Sequence, residues 1–253
     1  MHNAAFRALE LDWAYLAFEV PAGQGAAAVA GARVLGLEGL SVTMPHKAAA
    51  AGAVDRLTPA AEALGAVNTV VRRPDGLLLG DNTDGPGLVG ALREDEGFDP
   101  AGRRCLVVGA GGAARAAVRA LAEAGAAEIV VVNRTPERAE AAAALAPGAA
   151  RVGVAAEAGE ADLVVNATPV GMGGDEGLPV DPRHLGPGQL VVDLVYHPAV
   201  TPLVDAARAQ GAAAVNGLGM LVHQAALAFR LWTAEDAPLA VMSAAALRAL
   251  SRR

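Results

Sequence analysis

Between Arg104 and Arg115 an apolar run of strand length, Cys105-Leu106-Val107-Val108, ends in Gly109-Ala110-Gly111-Gly112 and passes straight into a helical pattern, Ala113 to Glu123. Strand, glycine turn and helix in that order form the opening half of a βαβ unit, which commits the chain to a parallel sheet with helices packed on its faces. Gly109 can take the tight turn. Gly111 lets the backbone approach a pyrophosphate, which would lie against unpaired N–H groups and the positive end of the helix dipole. Ala114 falls at the last position of the G-x-G-x-x-A pattern, where helix must lie close to strand. The pattern by itself also occurs at turns that bind nothing, so its weight comes from the strand before it and the helix after it.

The next strand narrows the cofactor. Ile129-Val130-Val131-Val132 is followed by Asn133-Arg134-Thr135-Pro136-Glu137-Arg138. An NAD site usually places Asp or Glu at this strand end to accept from the ribose hydroxyls, and here the position is Asn133. The guanidinium forks of Arg134 and Arg138 suit a 2′-phosphate, which an acid would repel, so NADP is favoured over NAD.

A chain of 253 residues can hold one large domain or two small ones. Its apolar fraction is dominated by Ala and Gly, and no uncharged apolar run reaches the ~18 residues that a bilayer crossing needs. The opening Met1-His2-Asn3-Ala4-Ala5-Phe6-Arg7 lacks the basic and apolar regions of a secretory signal, which leads us to expect a cytoplasmic protein without membrane contact. The single cysteine, Cys105, falls in a buried strand and excludes an intrachain disulfide framework. A net charge of −7 without a basic tract argues against nucleic acid as a partner. His46, His197 and His223 do not share a metal-ligand spacing, and no metal is expected.

In chain order, residues 2–11 read as a helix, Trp13 to Val20 as a strand with partial alternation, Gly25 to Leu35 as a helix and Leu40 to Thr43 as a strand. Pro45 suits the first turn of a helix over Pro45 to Ala53, which puts Lys47 where the helix dipole disfavours a cation. Thr58-Pro59-Ala60-Ala61-Glu62 has the form of a capped helix start. Ala66 to Arg72 and Leu77 to Gly80 flank the turn Pro74-Asp75-Gly76, and the polar cluster Asp81-Asn82-Thr83-Asp84-Gly85 precedes a helix over Gly87 to Asp95. From Cys105 strands alternate with helices, and helices over Gly219 to Thr233 and Pro238 to Ser251 close the chain. The polar segment Asp95 to Arg103 is the expected domain boundary.

Eight segments, in order, resemble the shikimate dehydrogenase family. They are Gly39-Leu40-Ser41-Val42-Thr43-Met44-Pro45-His46-Lys47, Gly65-Ala66-Val67-Asn68-Thr69, Gly80-Asp81-Asn82-Thr83-Asp84-Gly85, the glycine turn, Asn133-Arg134-Thr135, Asn166-Ala167-Thr168-Pro169-Val170-Gly171-Met172, Asp193-Leu194-Val195-Tyr196, and Gly217-Leu218-Gly219-Met220-Leu221-Val222-His223-Gln224. The resemblance implies two α/β domains: a Rossmann-type, doubly wound, parallel-sheet NADP-binding domain over residues 96–217, and a smaller, N-terminally truncated substrate-binding domain over 1–95, to which 218–253 returns. It implies NADPH-dependent reduction of 3-dehydroshikimate to shikimate in a cleft between the domains. Lys47 and Asp84 fall on the family's catalytic pair, and Thr43, Asn68 and Gln224 on its substrate-binding residues. Hydride arriving at a ketone leaves alkoxide character on oxygen, which calls for a proton donor or cation beside it and a carboxylate that fixes that group. Lys47 is read as the group on the oxygen and Asp84 as its orienting partner, with the reverse assignment of proton donor left open. Cofactor contacts are implied for Gly109, Ala110, Gly111, Gly112 and Ala113, for Asn133, Arg134, Thr135 and Arg138, and for Thr168, Val195 and Gly217.

The chain departs from the family at its start. Members open on a strand and a loop of the form G-x-P-x-x-H-S-x-S-P-x-x-H-N, of which Met1-His2-Asn3 matches the last part, so the two carboxylate-binding serines have no counterpart. Ser41 stands where many members have Asn. These departures lead us to expect a chain that binds NADPH yet reduces 3-dehydroshikimate poorly or not at all. Three readings stay open: an active shikimate dehydrogenase, an NADP-binding relative with little or no activity, and a quinate/shikimate enzyme of broader range. A monomer or homodimer is expected, with small molecules as its ligands.

Overall fold

The computed structural model describes residues 1–250, which divide into two compact units, Met1–Asp84 with Gln224–Arg248, and Gly85–His223. The first unit contains α1 (His2–Ala8), α2 (Gly25–Val34), β1 (Gly39–Ser41), α3 (Lys47–Ala51), β2 (Arg56–Leu57), α4 (Pro59–Leu64), β3 (Thr69–Arg72) and β4 (Leu78–Asp81). Its sheet has the order β1-β3-β4-β2, with β3 antiparallel to both neighbours and β2 parallel to β4. Val67, Val70 and Leu78 pack with Val29 of α2, Ala50 of α3 and Ala61 of α4. As the Thr58 segment suggests, the Thr58 side chain caps α4 by accepting from the Ala61 amide, and Pro59 occupies the first turn.

Several local expectations are corrected here. Trp13 to Val20 belongs to no strand. A strand exists through its ladder, and the backbone of Tyr15 is satisfied instead by a side chain: Asn3 donates to the Tyr15 carbonyl at 2.8 Å and accepts from its amide at 2.7 Å. Pro45 lies outside α3. The His46 amide closes a turn on the Thr43 carbonyl, so His46 becomes the N-cap and Lys47 the first helical residue. The next helix, α5 (Asp84–Glu94), starts three residues before Gly87, because Asn82 accepts from the Asp84 amide and ends the polar cluster as a cap.

The second unit continues with β5 (Arg104–Val108), α6 (Gly112–Glu123), β6 (Glu128–Val132), α7 (Pro136–Ala143), β7 (Ala150–Val152), β8 (Leu163–Asn166), β9 (Leu190–Asp193), α8 (Pro202–Ala209) and β10 (Ala213–Asn216). These strands form one parallel sheet of order β10-β9-β8-β5-β6-β7. The chain runs outward from β5 through β6 to β7, then crosses to the other side of β5 for β8. The order therefore reverses beside β5, which is the switch point where α/β sheets of this kind take ligands. Alternate residues face opposite layers: Cys105, Val107, Ile129 and Val131 pack on α6 and α7, and Leu106, Val108, Val164 and Val191 on α8. Burial pushes the Cys105 thiol up to about 12, leaving it an inert core group. The chain ends with α9 (Leu218–Thr233) and α10 (Leu239–Leu250). Among the described residues no helix is long and apolar enough to cross a membrane.

Candidate active site

In the first unit the ends of β1, β3 and β4 converge. Asn68, just before β3, has its carbonyl bonded by the Val42 amide at 2.7 Å and donates its own amide to the Asp81 carbonyl at 3.0 Å, so neighbours on both sides fix its backbone. The Val67 amide donates to the Lys47 carbonyl at 2.9 Å, which ties the start of α3 to the same place. From there Lys47 Nζ reaches Asp84 Oδ2 at 2.6 Å, with side-chain exposures of 24% and 9%. The pair answers the dipole problem posed by a lysine on the first turn of a helix, since the carboxylate offsets the unfavourable end charge. Asp84 itself stands on the first turn of α5, where a carboxylate is favoured.

Asp84 is held from three sides. Besides Lys47, Asn68 Nδ2 donates to its Oδ1 at 2.8 Å, and Asn82 Oδ1 accepts from its backbone amide at 3.1 Å while Asn82 Nδ2 donates to the Ala66 carbonyl at 3.0 Å. Asn68 Nδ2 also lies 3.5 Å from Gln224 Oε1. Four of the five expected substrate and catalytic residues, Lys47, Asp84, Asn68 and Gln224, are thus within one hydrogen-bonded group. Thr43 is outside it: the residue is exposed, and its carbonyl accepts from the His46 amide. Sequence reading missed Asn82, Thr69 and Thr83, all buried and all bonded into this group. The dense polar run from Asp81 to Asp84 was the signal for two of them. Among the described residues no cluster of His, Cys, Asp and Glu could hold a metal ion.

In the second unit the glycine turn leaves β5 at the switch point. Gly109 has φ +116°, and a Cβ there would meet the Ala167 carbonyl oxygen at 2.9 Å, so only glycine passes. Gly111 is the N-cap of α6 with no side-chain cap, and neither it nor Gly112 has an atom within 4 Å of a would-be Cβ. The start of α6 therefore has no side-chain cap and room beside its first glycines, with Ala110 and Ala113 half-buried on either side. Asn133 spends its amide on the Thr135 carbonyl, at 3.0 Å, in the turn that leads to α7. Thr135 caps that helix without a side-chain bond, and Arg134 and Arg138 are exposed with no carboxylate partner among the described residues.

The later strand ends meet on a buried pair that the sequence reading gave no role. Asp193 Oδ1 accepts from Asn166 Nδ2 at 2.8 Å and from the Val195 amide at 3.1 Å, and its Oδ2 accepts from Thr201 Oγ1 at 2.6 Å. Burial pushes the Asp193 carboxyl up, against the pull of these donors from Thr201, Val195 and Asn166. Asn166 Oδ1 in turn accepts from the Thr168 amide and hydroxyl, at 3.0 and 2.6 Å. Thr168 and Val195 are therefore set by one network. Gly217 is buried behind them, donating to the Val195 carbonyl at 3.2 Å, where a side chain would overlap the Leu194 backbone.

Comparison with known proteins gives matches along the whole chain. Residues 1–70 match the shikimate dehydrogenase substrate binding domain, 93–169 the shikimate / quinate 5-dehydrogenase family, and 217–247 the shikimate 5'-dehydrogenase C-terminal domain. Shikimate dehydrogenase (NADP(+)) of Moorella thermoacetica is 49% identical over 253 residues, covering 96% of this chain and 85% of its own. The enzyme of the same description from Methanopyrus kandleri is 48% identical, covering 99% and 90%. The crystal structure of shikimate 5-dehydrogenase from Thermus thermophilus in complex with NADP(H) and shikimate is 40% identical, with a TM-score of 0.91 over 98% of this chain and 93% of that one.

Proposed function

The chain belongs to the shikimate dehydrogenase family, and from that premise we propose that it catalyses the reversible NADPH-dependent reduction of 3-dehydroshikimate to shikimate, with Lys47 and Asp84 at the reacting oxygen. The observation that carries the reading is the 2.6 Å contact between Lys47 and Asp84, within a polar group that includes Asn68 and Gln224. The open space at Gly111 and Gly112 and the uncapped start of α6 fit a dinucleotide pyrophosphate. Arg134 and Arg138 would hold the 2′-phosphate, and Thr168, Val195 and Gly217 would line the nicotinamide end. When bound, NADPH supplies the hydride that adds to the carbonyl carbon.

As negative charge develops on the carbonyl oxygen, the Lys47 ammonium donates a proton to it, and the neutral amine recovers one from solvent before the next turnover. Asp84 holds Nζ toward the substrate. Gln224 presents an amide group suited to a ring hydroxyl of a cyclohexene acid, while the Asn68 amide is committed to Asp84 and Thr83. Lys47→Ala and Asp84→Asn are each expected to lower turnover by roughly 10² to 10⁴, the usual worth of a positioned acid or base, with the dissociation constant of NADPH unchanged. Steady-state rates and nucleotide titrations of both variants test this. Turnover within threefold of the parent in both would remove these residues from the mechanism.

A further inference from the structure

The carboxylate of Asp84 is aimed by Asn68, and something must aim Asn68, because a carboxamide can turn end for end at little steric cost. A backbone donor settles its direction, and a buried hydroxyl then holds it in place. The backbone amide of Thr83, which can only donate, lies 2.9 Å from Asn68 Oδ1, and Thr69 Oγ1 donates to the same oxygen, also at 2.9 Å. With Oδ1 taken, the amide's N–H groups face Asp84 Oδ1 at 2.8 Å and Thr83 Oγ1 at 3.0 Å. A reversed amide would set its NH₂ against the Thr83 N–H and bring its oxygen against the Asp84 carboxylate.

We propose that Thr69 is a positioning residue for the reaction: its buried hydroxyl locks the Asn68 amide, which holds Asp84 so that Oδ2 is kept for Lys47. Thr69 is 1% exposed, so no water replaces its hydroxyl when it is removed. It opens β3 and pairs with both Ser41 and Asp81, so its backbone is fixed from two sides, and its Oγ1 also lies 3.3 Å from Thr83 Oγ1. Thr69 acts on the Asp84 carboxylate through the Asn68 amide. Its loss therefore loosens the catalytic carboxylate without removing a charged group or a direct ligand of the substrate.

The inference rests on the assignment of Asp84 given above, so Asp84→Asn belongs in the same experiment. Thr69→Val removes the hydroxyl at nearly constant volume, and Thr69→Ser keeps it. Thr69→Val is expected to lower kcat by roughly fivefold to tenfold, the worth of one buried neutral hydrogen bond, with KM for 3-dehydroshikimate within about threefold of the parent. Thr69→Ser is expected to retain at least about half of the parental kcat, whatever its Tm. Should Thr69→Val fail to fold, Thr69→Ala carries the same comparison with Thr69→Ser. Parental kcat in Thr69→Val beside a slow Asp84→Asn overturns the inference and leaves the function standing. Equal losses in the Val and Ser variants, in step with their Tm, also overturn it, since packing alone would then explain them. A fast Asp84→Asn removes the assignment of Asp84 itself.

Discussion

Arg134 and Arg138 are two exposed cations without carboxylate partners among the described residues, beside a strand end that carries Asn133 in place of an acid. A 2′-phosphate arriving there meets guanidinium groups that need not break an existing ion pair. Two charge-assisted contacts of ~1.5 to 3 kcal/mol each imply at least about a tenfold preference for NADPH over NADH. Titration of both nucleotides checks this, and equal dissociation constants would remove the arginines from the account. At this scale the candidate site stands out in the sequence where a residue type is in an unfavourable place and so calls for a partner, which the structure supplies for Lys47 in Asp84. Thr69 was not legible, because its role lies in which neighbour its side chain meets, and spacing along the chain does not carry that. Asp193 was hidden for the same reason: its partners Asn166 and Thr201 come from separate segments.

The β5 to α6 turn makes a sharper prediction, because its two fingerprint glycines are there for different reasons. At Gly109 a methyl group meets the Ala167 carbonyl oxygen at 2.9 Å on a backbone with φ +116°, so Gly109→Ala should lower Tm and nucleotide affinity together. Gly111 has an ordinary φ of −77° and nothing within 4 Å of the added carbon, so Gly111→Ala should fold with a Tm near the parent's. Its methyl group would nonetheless fill the space left free at the uncapped start of α6, and NADPH affinity should fall by about tenfold or more. Thermal melts with and without NADPH separate the two. A large Tm loss in Gly111→Ala alone would show that the turn needs that glycine for folding. The elements themselves were legible where apolar runs alternate with helical periods, as from β5 to β10. They were misread where pairing decides. Trp13 to Val20 has strand composition, but Asn3 takes the backbone groups of Tyr15, while the two- and three-residue strands β2 and β7 are too short to leave a period in the sequence.

The molecule as a whole sorts its polar groups by strand end and gathers most of its aromatic residues in one unit. His2 lies among Phe6, Tyr15, Phe229 and Trp232, stacked on Phe229 with ring centroids 6.4 Å apart, and its Nδ1 has no partner among the described residues. Burial, reinforced by the nearby terminal ammonium, pushes its pKa down to about 4. The folded state thus keeps His2 neutral while an unfolded chain takes up a proton near ~6.5, so stability is lost as pH falls between those values, by at most roughly 3 kcal/mol. Urea midpoints of the parent should drop relative to His2→Phe across that interval, and parallel curves would show that His2 ionises without cost to the fold. The fold class was the most legible feature of all, because one glycine turn and a run of alternating elements leave little choice of topology. The central claim is that the Lys47 and Asp84 group reduces 3-dehydroshikimate with hydride from NADPH. Measuring NADPH consumed and shikimate formed in the same reaction tests it most directly. The account predicts one shikimate for each NADPH oxidised, at whatever rate the chain turns over. NADPH that binds but is never oxidised in the presence of 3-dehydroshikimate, or is oxidised without shikimate appearing, would contradict it.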